Sequence, residues 1–131
     1  GLVGSEMCIR DRLFTTLQAY VNSEEWLQNH THEAAEERAM MHAHNRKGLA
    51  LALDAAVFDR GDITHLLPMI TAPTMVIVGE EDRATPVELS KEIAALLPDA
   101  QLLTLAKTGH HPPTEAADAV TAAIAGFIAA K

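Results

Sequence analysis

Apolar and polar positions follow two rhythms along the chain. From residue 13 to residue 65 the rhythm is helical. Leu13, Phe14, Leu17, Tyr20 and Val21 recur on one helical face. Ser23 before Glu24 and Glu25 has the form of an N-cap with acids in the first turn, and Trp26 and Leu27 add an apolar contact. Thr31 predicts the cap of a third helix running through Met40 and Met41. Asn45 predicts that of a fourth, on which Leu49, Leu53, Ala56 and Val57 align. Asp59-Arg60-Gly61-Asp62 reads as a turn.

Beyond residue 65 the pattern changes. Thr74-Met75-Val76-Ile77-Val78 is a continuous apolar run opened by Pro73 and closed by Gly79, the form of a parallel strand buried on both faces. Thr85-Pro86-Val87-Glu88 then predicts a helix start, with Thr85 as N-cap, proline in the first turn and glutamate third. That helix is expected to bury Leu89, Ile93, Leu96 and Leu97 and to stop at Pro98. A short strand over Gln101–Leu105, a loop to Pro113 and a last helix lined by Val120, Ile124, Phe127 and Ile128 complete the series. Strand, helix, strand, helix calls for two adjacent parallel strands in an α/β fold. The division expected is 13–65 helical and cap-like, 66–131 part of an α/β core.

Composition narrows the function classes. Of 131 residues, 48% are apolar and 21% charged, as in globular segments. Ten basic against 18 acidic residues give a net charge of −8, with no basic run, so a nucleic-acid partner is not expected. No apolar stretch approaches the roughly 20 residues of a bilayer span, so no membrane role is expected. The single Cys8 cannot form an internal disulfide. It also lies in a segment, residues 1–12, that resembles the translation of a transposase adapter used in sequencing libraries. Met7 to Asp11 back-translate as ATG TGT ATA AGA GAC, and Gly1 to Glu6 continue the same frame. Such a segment is expected to be an artefact that packs against nothing. A natural start would then lie upstream, and any signal peptide with it. A cytoplasmic setting is favoured.

Candidate chemistry sits on two loops that follow the predicted strands, where open parallel sheets collect functional groups. One is Gly79-Glu80-Glu81-Asp82-Arg83-Ala84-Thr85-Pro86, and the other Lys107-Thr108-Gly109-His110-His111-Pro112-Pro113. Adjacent strands lie about 4.8 Å apart, so a carboxylate on one loop can reach an imidazole on the next. An acid so placed fixes the histidine tautomer and stabilises the imidazolium formed in acyl transfer.

The stretch from Ile70 to Pro86 resembles the acid-bearing strand and loop of α/β-hydrolases: a proline-led strand, glycine, two residues, the acid, then a proline-opened helix. Gly109-His110, followed by Glu115 and an apolar terminal helix, resembles that family's histidine loop, in the family's order of acid before histidine. The Pro-Thr strand and Pro-Pro-x-Glu after the histidines resemble its esterase, enol-lactonase and haloperoxidase-like group. The resemblance covers residues 66–131. Residues 13–65 match only as the kind of helical cap this family inserts.

The resemblance implies Asp82 as triad acid and His110 as triad base, with His111 the rival histidine. It implies a small carboxylic ester or lactone as substrate and neither cofactor nor metal. It leaves oligomeric state open. The departure is the nucleophile: no G-x-S-x-G elbow is present, and the serines are Ser5, Ser23 and Ser90. The chain is therefore expected to be the C-terminal part of a hydrolase, inactive alone. Two other readings stand beside this one. The first is a dehalogenase or cofactor-free haloperoxidase of the same fold, set by the elbow residue. The second is a non-catalytic binding member.

Two His-x-His pairs, His30/His32 and His42/His44, lie near Glu33, Glu36 and Glu37. Residues two apart on a helix diverge, and His32-Glu33 lacks the second histidine of H-E-x-x-H. Solvated cap surface is the expectation for them. Glu115 is expected to favour the first turn of the last helix. Met40, Met41 and Trp26 are expected to pack.

Overall fold

The computed structural model describes residues 2–59 and 61–130, with side chains from residue 11 onward. Four helices come first: α1 (Leu2–Val21), α2 (Glu24–Asn29), α3 (Thr31–Ala43) and α4 (Arg46–Leu53). A π-helical turn over Asp54–Phe58 and a 3-10 helix over Thr64–Met69 follow. The α/β part is β1 (Thr74–Gly79), α5 (Val87–Leu96), β2 (Ala100–Leu105), α6 (Pro112–Glu115) and α7 (Ala117–Ala129).

Two predicted caps form. Ser23 Oγ accepts from Trp26 N at 3.3 Å, and Asn45 Oδ1 from Gly48 N at 3.0 Å. Thr31 does not cap α3; His30 holds that position without a side-chain bond, and Thr31 is the first helical residue. At Asp59–Asp62 the chain leaves helix, with Arg60 outside the described residues.

Helix α1 does not begin at Leu13. Propagating a helix needs one hydrogen bond per added residue, so a turn anchored at 13–21 carries the preceding residues with it. The expectation that 1–12 touches nothing fails at Asp11, whose carboxylate lies 2.9 Å from His42 Nε2. The side chains of residues 1–10 lie outside the described set.

Strands β1 and β2 pair in parallel, from Thr74 opposite Ala100 to Gly79 opposite Leu105. β2 thus starts one residue before its expected position. Helix α5 packs across both strands, whereas α7 lies chiefly against α6. The buried apolar residues are Phe14, Trp26 and Ala34 among the first helices and Val78, Leu97 and Val120 in the α/β part.

Burial falls short of the pattern. β1 is covered fully only at Val78 and Gly79, with Thr74 to Ile77 half-buried. On α5, Leu89 and Ile93 remain 47% and 39% exposed, and on α7 Ile124 and Ile128 remain 45% and 67% exposed. The aligned Leu49 and Leu53 of α4 and Val57 of the π-helical turn are exposed as well. Periodicity and burial agree at Leu97 and Val120, whereas along α1 the buried side is Phe14, Gln18 and the following Asn22, and Leu13, Leu17 and Tyr20 of the expected face are exposed. The described sheet has two strands, too few to give both helices a surface to cover.

Where β1 ends, the chain needs glycine. A Cβ at Gly79 would run into the main-chain carbonyl oxygens of Thr108 and Gly109. Beside them, Lys107 adopts φ 55°, the left-handed turn that swings the histidine loop back over β1. Gly109 is equally confined, since a Cβ there would lie 2.7 Å from both Ser23 N and Val21 O.

Two outcomes follow from this packing. Gly79→Ala has no flexible side chain to displace, only backbone, and is expected to cost at least about 3 kcal/mol in urea unfolding. The open apolar faces of α5 and α7 should make the isolated chain self-associate and bind 1-anilinonaphthalene-8-sulfonate. A monodisperse monomer at high concentration that leaves the dye dark would contradict this.

Candidate active site

Asp82 stands three residues beyond β1, and its carboxylate is saturated with donors. Oδ1 accepts from Ala84 N at 2.9 Å and Thr85 N at 2.8 Å. Oδ2 accepts from the Thr85 hydroxyl at 2.8 Å and lies 2.9 Å from His110 Nδ1. The side chain is 4% exposed. Burial pushes the Asp82 carboxyl up. The hydrogen bonds from Thr85 N, His110 and the Thr85 hydroxyl, joined by attraction to His110, outweigh that, and the net shift is down.

Here the expected capping box is corrected. Helix α5 starts at Val87 with Pro86 at the cap position and no side-chain cap bond. Thr85 instead donates its hydroxyl to the Asp82 carboxylate in a charge-assisted hydrogen bond. The same oxygen lies 3.2 Å from His110 Nδ1, so Thr85 touches both members of the pair.

His110 follows the left-handed turn at Lys107. Its own N–H donates to Val21 O at 2.6 Å, the last residue of α1. With Nδ1 on Asp82, its ring is about one-third exposed (36%), and nothing among the described residues hydrogen-bonds Nε2. An imidazole held at Nδ1 by a buried carboxylate presents Nε2 as a proton acceptor.

His111 faces elsewhere. Its Nδ1 lies 3.1 Å from Asn22 Oδ1 and 3.9 Å from Glu37 Oε1, away from Asp82. Behind it runs a polar chain into α1 and α3: Glu37 accepts from Gln18, whose amide oxygen accepts from Arg38 at 2.8 Å. Sequence reasoning missed this network, in which Gln18 and Asn22 are buried and His111 and Glu37 half-buried. Its signal is the polar pair Gln18 and Asn22, spaced four apart in line with the buried Phe14.

Glu115 was also underread. Its Oε2 accepts from Ser23 N at 2.8 Å and Gly109 N at 2.9 Å, and its Oε1 from His111 N at 3.2 Å. It therefore braces the histidine loop against the α1–α2 turn. Lys107 Nζ adds an exposed ion pair to Glu25 at 2.8 Å, and Arg83 donates to Ala19 O at 2.7 Å. Of the serines, Ser23 is fully buried with its hydroxyl capping α2, and Ser90 lies within α5. The side chain of Ser5 lies outside the described set.

The remaining histidines disperse. His30 stacks on Trp26 at 5.1 Å, His42 meets Phe14 edge-on at 4.7 Å, and His32 lies 3.7 Å from Glu36. Among the described residues no three His, Cys, Asp or Glu side chains converge as a metal site would require.

Two parallel strands with an acid loop and a histidine loop at their carboxyl ends define the end of an α/β-hydrolase core. The sequence profile of the family described as TAP-like protein matches residues 59–130, and the chain belongs to this α/β-hydrolase family. A 2-hydroxy-6-oxononadienedioate/2-hydroxy-6-oxononatrienedioate hydrolase from a Pseudomonas species is 39% identical over 70 residues, covering 53% of this chain and 25% of that protein. A pimeloyl-[acyl-carrier protein] methyl ester esterase from Xanthomonas oryzae is 38% identical over 80 residues, 61% of this chain and 32% of that one. The solved structure of a thermophilic esterase from Thermogutta terrifontis superposes with a TM-score of 0.77 at 30% identity, over 92% of this chain and 42% of that chain. The chain thus spans a quarter to a third of these curated relatives, and its elements are those of the C-terminal part of the fold.

Asp82 should govern part of the acid stability. Its native pKa lies below the ordinary 3.8, so its contribution is complete above pH 3.8 and disappears as pH falls through the lowered native value. Equilibrium unfolding from neutral pH downward should show a loss over that window which Asp82→Asn lacks. A variant whose acid limb superimposes on the wild type would contradict it. Thr85→Val keeps the shape but removes the hydroxyl, and is expected to cost about 1 kcal/mol. Carboxyl carbon NMR should show it moving the Asp82 pKa back upwards.

Proposed function

We propose that this chain supplies the acid and the general base of a serine hydrolase acting on small carboxylic esters or lactones. Asp82 is the acid, His110 the base, and a serine in polypeptide outside these 131 residues the nucleophile. Residues 13–65 act as the helical cap and residues 66–131 as the end of the core. The observation that carries the reading is the 2.9 Å contact between Asp82 Oδ2 and His110 Nδ1, which leaves Nε2 open.

The chemistry then runs in two halves. Nε2 removes the serine proton as the hydroxyl attacks the carbonyl, and the imidazolium that forms is stabilised by the Asp82 carboxylate. The same proton passes to the leaving alkoxide, giving the alcohol and an acyl-enzyme. Water, deprotonated by Nε2, cleaves the acyl-enzyme to the acid and restores the serine. For a lactone the alcohol and the acid belong to one product. No cofactor enters. Thr85 holds the carboxylate, and His111, turned towards Asn22, takes no part.

The test uses this chain joined to polypeptide that carries the serine nucleophile. It is expected to hydrolyse p-nitrophenyl esters and simple lactones. His110→Ala should lower kcat by roughly 10⁴-fold with folding intact, and His111→Ala by far less. An equal loss from both, or no hydrolysis from the joined protein, overturns the reading.

A further inference from the structure

We propose that Glu115 is a positioning residue for His110, resting on the reading of His110 as the base, and that through it the first helices hold the imidazole in place. The argument starts from where the amides of the loop point. Gly109 N and His111 N, on either side of His110, both donate to the Glu115 carboxylate, at 2.9 and 3.2 Å. The amide between them, His110 N, donates to Val21 O at 2.6 Å. Three consecutive main-chain donors are thereby fixed, which leaves the Cα–Cβ direction of His110 a single setting.

The carboxylate also reaches across the fold. Its Oε2 takes the N–H of Ser23 at 2.8 Å, in the turn that follows Val21. So one acidic group closes a ring: loop amides to Glu115, Glu115 to Ser23, and Val21 back to the loop. Ser23 is fully buried and starts α2 with its hydroxyl, so the far side of the ring is anchored. Glu115 is itself held, because Thr114 N and Glu115 N both donate to His111 O at 2.9 Å.

Charge and chemistry explain the residue type. Three donors converge on one side chain, and only a carboxylate accepts from all three without presenting a donor of its own. A glutamine must turn its NH₂ towards at least one of those N–H groups. An aspartate is one methylene short. Asp82 then sets the ring's rotation through Nδ1, while Glu115 sets the backbone from which the ring hangs. Glu115 touches no reacting atom.

The experiment reads the His110 ring in the 131-residue chain by long-range proton–nitrogen NMR in mildly alkaline solution. In the wild type Nδ1 should resonate as a protonated nitrogen and Nε2 as a bare one. Glu115→Ala should lower the ratio of Nδ1–H to Nε2–H tautomer by about ten-fold and raise amide exchange at Gly109 and His111 by about as much. Glu115→Gln should fall between. Faster exchange alone, with the tautomer ratio unchanged, would mean that Glu115 only stiffens the loop, and overturns the proposal. If the alanine variant does not fold, the glutamine variant decides alone: a shifted ratio supports the proposal and a wild-type ratio overturns it. Asp82→Asn separates this from the site itself. A wild-type ring without tautomer preference, or one indifferent to Asp82→Asn, defeats the reading of the dyad. A ring released by Asp82→Asn but unmoved by both Glu115 variants defeats only the role of Glu115.

Discussion

The close approach at Gly79 is the constraint on which the site depends. Parallel pairing in register brings the ends of β1 and β2 side by side, but a register alone does not place two loops in contact. Contact comes because β1 ends in a residue with no side chain, so the Thr108 and Gly109 carbonyls can settle against it. Glu81 N donates to Thr108 O at 2.8 Å and Glu80 N to Leu105 O at 2.8 Å, stitching the acid loop to the histidine loop before either side chain is considered.

The pairing of Asp82 with His110 was legible because each loop carries local punctuation. A proline-led apolar run, a glycine and a second proline bracket the acid, and Gly109 precedes the histidine. The choice between His110 and His111 was legible only through resemblance. Composition treats the two alike, and the structure separates them by a partner on another helix, Asn22. Caps show the same division. Ser23 and Asn45 act as their local sequence dictates, whereas α5 starts after Pro86 without a side-chain cap and the Thr85 hydroxyl donates to the Asp82 carboxylate.

Burial was the least legible quantity. Leu89, Ile93, Ile124 and Ile128 lie where the helical period puts apolar residues, yet they remain open to solvent. Period reports which face wants cover, and cover depends on elements that a local window does not contain. Glu115 was hidden for a related reason. Its partners Ser23 and Gly109 are 92 and 6 residues away, and no spacing rule joins a helix-turn amide to a carboxylate at such a distance.

That distance separates Asp82 from His110 in the order in which their settings are completed along the chain. Asp82 draws its oxygen contacts from Ala84 and Thr85, two and three residues on, so the bent carboxylate loop is encoded in one short stretch. The histidine borrows its setting from Val21 and from a glutamate bonded to Ser23, near opposite ends of the chain. Loop closure over such a span is slow compared with a local turn. On a ribosome delivering residues from the amino end, the acid loop can form with the histidine still unmade. The contacts that set His110 are complete only when residue 115 has emerged and Val21 and Ser23 lie against the loop. A copy that ends before residue 115 lacks the carboxylate that joins the His110 loop to Ser23.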